Sequence, residues 1–117
     1  MTMDTIDRSH AIVPANTTPV RARALNTVHR IVAEGLAGHP ARVFLFGSSA
    51  RSDVLPRSDI DVAILPLAPL PFSVFAKIAS ELDESPIPYT VDLVNLDHAS
   101  PDLRETILVE GLEWPMP

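Results

Sequence analysis

Three aspartates and a glycine-serine pair carry the chemistry that this 117-residue sequence offers. Asp59 and Asp61 stand in Ser58-Asp59-Ile60-Asp61, which opens the apolar run Val62-Ala63-Ile64-Leu65 ended by Pro66. As a strand with its period of two, this run puts Asp59 and Asp61 on one face and Ile60, Val62 and Ile64 on the other. The two carboxylates then lie about 6.6 Å apart at Cα. Carboxylates crowded in this way repel one another, and their hard oxygens suit divalent cations. Asp92, in the alternating segment Tyr89 to Asn95, shares a face with Val94 and is the candidate third carboxylate. Two Mg²⁺ ions on Asp59, Asp61 and Asp92 would orient a triphosphate for in-line displacement at its α-phosphorus, with Asp92 also placed to accept the proton of the attacking hydroxyl. The alternative is three exposed strand-end aspartates with no ligand.

Ten residues separate Gly47-Ser48 from Asp59. Val43-Phe44-Leu45-Phe46 is too short for a helix and is bounded by Gly47, so it reads as a buried strand. Glycine there permits a tight turn and lets a bulky ligand approach the backbone, while Ser48 and Ser49 can cap a short helix whose N-terminus attracts phosphate. On this reading Gly47 and Ser48 grip the β- and γ-phosphates, and Ser49 and Ser58 add lesser nucleotide contacts. The same dipeptide also makes ordinary turns. A P-loop is excluded because no Gly-Lys-Ser/Thr follows. Arg51 suits a salt bridge to Asp53 or another carboxylate better than a phosphate contact. His10, His29, His39 and His98 share no metal-ligand spacing, which assigns them to surface or capping roles.

The elements that must position these groups follow from caps and periodicity. Thr18 is an N-cap with Pro19 at the first helical position, and Val20, Ala24, Val28, Ile31, Val32 and Leu36 recur at helical spacing until Gly38. The proline-broken connector Pro66 to Pro71 is extended, its leucines covering either the domain's own helices or a partner. Phe72 to Glu84 forms a helix with Phe72, Phe75, Ala79 and Leu82 on one stripe, ended by Pro86 and Pro88. Ser100-Pro101 starts a last helix, with Asp102 near its positive end and Gly111 as its stop. Leu112-Glu113-Trp114 adds a short edge strand. The resulting expectation is one α/β domain over residues 17–117, a mixed sheet packed with helices, behind a flexible segment at 1–16.

Composition narrows the function classes. A chain of 117 residues that is 46% hydrophobic supports one core and leaves no room for a second, acceptor-binding lobe. Its formal charge of −6, with one lysine, supplies no basic face for a nucleic-acid backbone. There is no cysteine, hence no disulfide or thiolate metal site. The acidic N-terminus lacks the basic and apolar regions of a signal peptide, and prolines interrupt the apolar stretches, which places the protein in the cytoplasm.

Gly47-Ser48-x-Ala50-Arg51-x-Asp53, Ser58-Asp59-Ile60-Asp61-Val62, Val91-Asp92-Leu93-Val94 and Leu103-Arg104-Glu105-x-Ile107-x-x-Glu110-Gly111 together resemble the minimal nucleotidyltransferase domain of the DNA polymerase beta superfamily. The likeness runs over most of residues 19–114; Ser52 departs from it, standing where that family usually has glycine. The resemblance implies the nucleotidyltransferase fold, ATP as donor, and transfer of AMP to a tyrosine of a HEPN-family toxin by its antitoxin. Two other readings stay open: an antitoxin acting by binding alone, and a small-molecule enzyme like the aminoglycoside nucleotidyltransferases.

Overall fold

Thr18 caps helix α1, Pro19–Gly35, as its sequence demands: its Oγ1 accepts the Arg21 backbone N–H at 3.3 Å, and Pro19 occupies the first turn. The computed structural model describes residues 12–15, 17–47 and 59–116. Helix α1 ends at Gly35, and the expected stop, Gly38, lies in the turn beyond it at φ 82°. Its buried stripe is Arg21, Ala24, Leu25, Val28, Ile31 and Val32. Val20, expected on that stripe, is 49% exposed because at 100° per residue it sits about a quarter turn from the line through 21, 25, 28 and 32.

Strand β1, Ala41–Phe46, pairs antiparallel with β2, Ile60–Pro66, from Ala41 opposite Pro66 to Phe46 opposite Asp61. Helix α2, Phe72–Glu84, is the crossover that lets β3, Val91–Asn95, lie parallel to β2. A 3₁₀ turn at Leu96–His98 and helix α3, Pro101–Glu110, then bring the chain back to β4, Leu112–Trp114, which pairs antiparallel with the other side of β1. The four-stranded mixed sheet has the order β3-β2-β1-β4. Ser100 caps α3 through the Leu103 N–H at 3.2 Å, with Pro101 behind it.

Alternation splits the sheet into two apolar faces. Val43, Leu45, Ile60, Val62 and Ile64 are buried with α1, with Ile78 and Leu82 of α2, and with Trp114. Phe44, Ala63 and Leu65 are buried with Leu96 and Ile107 on the other face. Each Val, Leu or Ile so buried contributes about 1.5–3 kcal/mol, so the two faces together fix the register. Phe72, expected to lead the buried stripe of α2, is 81% exposed; Phe75, Ile78 and Leu82 define that face and Phe72 lies about a quarter turn away. The proline connector divides: Leu70 packs on the core while Leu67 is 60% exposed. His29 packs edge-on to Trp114 at 5.3 Å between ring centroids, with Nε2 2.7 Å from the Pro115 carbonyl, and Trp114 Nε1–H donates to the Ile12 carbonyl at 2.8 Å. Among the described residues no helix is long and apolar enough to cross a membrane.

Candidate active site

The pairing register brings the acidic residues together. Phe46, Asp61 and Asp92 are neighbours on β1, β2 and β3, so Asp61 and Asp92 stand on adjacent strands about 4.8 Å apart in the pairing direction. Asp59 precedes β2 and, by alternation, shares the face of Asp61. The strand entrances are held by the Ile60 N–H, which donates to the Thr90 carbonyl at 2.9 Å. Ile60 is fully buried on the opposite face, so β2 cannot slip by one residue without exposing Ile60, Val62 and Ile64. Asp59 and Asp92 are exposed, and Asp61 between them is half-buried.

Burial raises the Asp61 carboxyl above its ordinary range, and the charges of Asp92 and then Asp59 push it in the same direction, against a smaller opposing effect from Arg21. Gly47 follows β1 at φ 67°, and a Cβ added there would lie 2.7 Å from Asp61 Oδ2. The turn backbone therefore closes directly over this carboxylate. Ser48, Ser49 and Ser58, together with Arg51 and Asp53, lie outside the described residues.

The donor chemistry of this row, hard carboxylate oxygens with Asp61 pushed toward its protonated form by burial and by its neighbours' charge, fits a hard divalent cation. As the side chains stand, no three His, Cys, Asp or Glu residues among those described converge on one ion position. A hollow of about 420 Å³ on the α3 side of Gly47 is lined by Phe46, Gly47, Leu103, Thr106, Ile107 and Glu110, and none of the three aspartates is in its wall.

Sequence reasoning passed over Arg21. It is 2% exposed, donates from Nη2 to the Asp59 carbonyl at 3.0 Å, and lies 4.8 Å over the Tyr89 ring. The signal was its place in the helical series 21, 24, 25, 28, 32: a cation on an apolar stripe implies a buried partner.

A mixed sheet that aligns acidic residues at the mouths of adjacent strands, beside a glycine turn, defines a nucleotidyltransferase-type α/β domain. The family model "Polymerase beta, Nucleotidyltransferase" matches residues 31–113, and the chain belongs to that family. It is 35% identical over 65 residues to the probable protein adenylyltransferase MntA of Haemophilus influenzae, a match spanning 56% of this chain and 57% of that protein. Its fold resembles a chain of a toxin-antitoxin complex solved with AMP-PNP, with 27% identity, TM-score 0.57, and coverage of 79% of this chain and 73% of the other. It also resembles a chain of a mutant MntA toxin-antitoxin complex, with 26% identity, TM-score 0.60, and coverage of 79% and 72%.

Proposed function

We propose that this protein is a metal-dependent nucleotidyltransferase that moves AMP from ATP to a hydroxyl of a partner protein, and that it is the antitoxin of a HEPN-family toxin. The observation that carries this reading is the in-register placement of Asp61 and Asp92 beside the Gly47 turn. The adenylyltransferase name of the Haemophilus influenzae relative and the AMP-PNP complex among the similar structures support the donor and the class of acceptor.

Asp59, Asp61 and Asp92 are the residues that would hold Mg²⁺, which when bound supplies charge neutralisation of the triphosphate and of the charge that develops in displacement. The Gly47 turn and Ser48 grip the β- and γ-phosphates. Asp92, exposed at the edge of the row, takes the proton of the acceptor hydroxyl. The acceptor oxygen bonds to the α-phosphorus, the bond from that phosphorus to the bridging oxygen of the β-phosphate breaks, and pyrophosphate leaves with the electron pair. Asp59 and Asp92 are exposed, so the acceptor completes the site from outside.

Intact mass spectrometry of a co-expressed HEPN partner tests this directly. A mass gain of one or more AMP units that disappears with Asp59→Asn/Asp61→Asn is the expected result. An unmodified partner that is nevertheless bound and silenced would replace catalysis by binding alone.

A further inference from the structure

The buried guanidinium of Arg21 touches the entrances of both acid-bearing strands. One nitrogen, Nη2, donates to the carbonyl of Asp59, immediately before β2, and its face lies over Tyr89, two residues before β3 begins. A cation on the apolar stripe of α1 is costly to bury and is tolerated only where its surroundings repay it. Here they include a carbonyl, an aromatic face and the charge of Asp61. Only a planar fork can stack and donate at the same time; an ammonium at this position keeps the charge and loses that geometry.

We infer that Arg21 is a positioning residue of the carboxylate site, clamping the Asp59 backbone and Tyr89 so that the aspartates of β2 stay at a fixed separation from Asp92 on β3. This rests on the reading of Asp59, Asp61 and Asp92 as cation ligands. Through the Asp59 carbonyl and the Tyr89 ring, Arg21 holds the backbone that carries the aspartates, as outer-shell groups do when they orient ligands they do not themselves replace.

The test is Mn²⁺ affinity of the full chain, read as free Mn²⁺ by electron paramagnetic resonance and normalised to the folded fraction from circular dichroism. Arg21→Lys, which keeps the charge, is expected to weaken binding about tenfold or more, and Tyr89→Leu to weaken it severalfold, whereas Tyr89→Phe keeps the ring and stays within about twofold of wild type. A purely electrostatic Arg21 gives the opposite signature, with Arg21→Met tightening Mn²⁺ and Arg21→Lys unchanged, and that result overturns the inference. Unchanged affinity in a chain that merely melts earlier overturns it as well. Where the Arg21 variants do not fold, the Tyr89 pair decides, and equal affinities for Leu and Phe count against the clamp. A wild-type chain that binds no Mn²⁺ removes the cation site itself and with it this inference; wild-type binding with unaffected variants removes the clamp alone.

Discussion

Gly47 Cα faces the carboxylate of Asp61 so closely that a methyl at position 47 would stand 2.7 Å from Oδ2. The two residues belong to different strands' ends, and their approach follows from Phe46 pairing with Asp61 in the β1–β2 register. Gly47→Ala therefore has two separable effects. The φ of 67° costs alanine about 1–2 kcal/mol of stability. The displaced carboxylate is the flexible end of a side chain, so the clash costs little in folding, yet a displacement on the order of 1 Å should lower AMP transfer about 10²-fold. Urea unfolding and a labelled-ATP transfer assay measure the two; transfer at the wild-type rate would show that Asp61 tolerates being moved.

Asp61→Asn should stabilise the metal-free protein at neutral pH. The folded protein holds the Asp61 proton more tightly than the unfolded chain does, through burial and the neighbouring Asp92 and Asp59. As pH rises from the ordinary aspartate range, about 3.9, toward the raised folded value, the native state binds more protons and stability is lost. Above that window the whole penalty is present; asparagine never incurs it. The melting temperature without divalent ions should thus be higher for Asp61→Asn at pH 7, the gap closing as pH falls below the ordinary range. Added Mg²⁺ should raise the wild type more than the variant. A variant less stable than wild type at pH 7 in chelator contradicts this account.

The strands and the acid row were legible in the sequence because alternation is a local property: Asp61 alternates with the buried Ile60 and Val62, and Asp92 with the partly buried Val91 and Leu93. Helix facing was legible only where several positions agreed. Phe72 and Val20 were placed inside as the leading members of an apolar helical series, and each is exposed because the majority of its helix's buried residues point about a quarter turn away. Ile78, buried at the center of α2, was passed over for the same reason. The helical series marked Arg21 as buried, but its partners, Asp59 and Tyr89, are 38 and 68 residues distant along the chain and could not be named from that local pattern.

Gly35→Ala should destabilise the fold without touching the site. At an ordinary helical position this change gains about 0.5–1 kcal/mol. Here the new Cβ would overlap Ile78 Cγ1 and lie 2.9 Å from its Cδ1, and Ile78 is fully buried between α1 and α2. Overpacking of that kind costs about 1–3 kcal/mol, so the net effect is loss. Combining it with Ile78→Ala should recover part of the cost, a coupling of about 0.5 kcal/mol or more in a double-mutant cycle. Transfer activity per folded molecule should match wild type.

Asp92 and Asp61 are register partners with different surroundings, and this separates their expected roles. Asp61 is half-buried under the Gly47 turn, where a carboxylate can hold a cation against the phosphates; Asp92 is exposed on an edge strand, where an incoming acceptor can reach it. If Asp92 chiefly deprotonates the acceptor, Asp92→Asn should leave binding of a non-hydrolysable ATP analogue with Mg²⁺ within a few fold while slowing transfer by roughly 10² to 10⁴. Asp61→Asn and Asp59→Asn should lose both binding and transfer. The two measurements are calorimetric titration of the analogue against each single variant, and AMP transfer to the partner at saturating ATP. Equal loss of analogue binding in Asp92→Asn and Asp61→Asn makes Asp92 a metal ligand first, and unimpaired transfer in Asp92→Asn returns it to the strand as a residue of the fold alone.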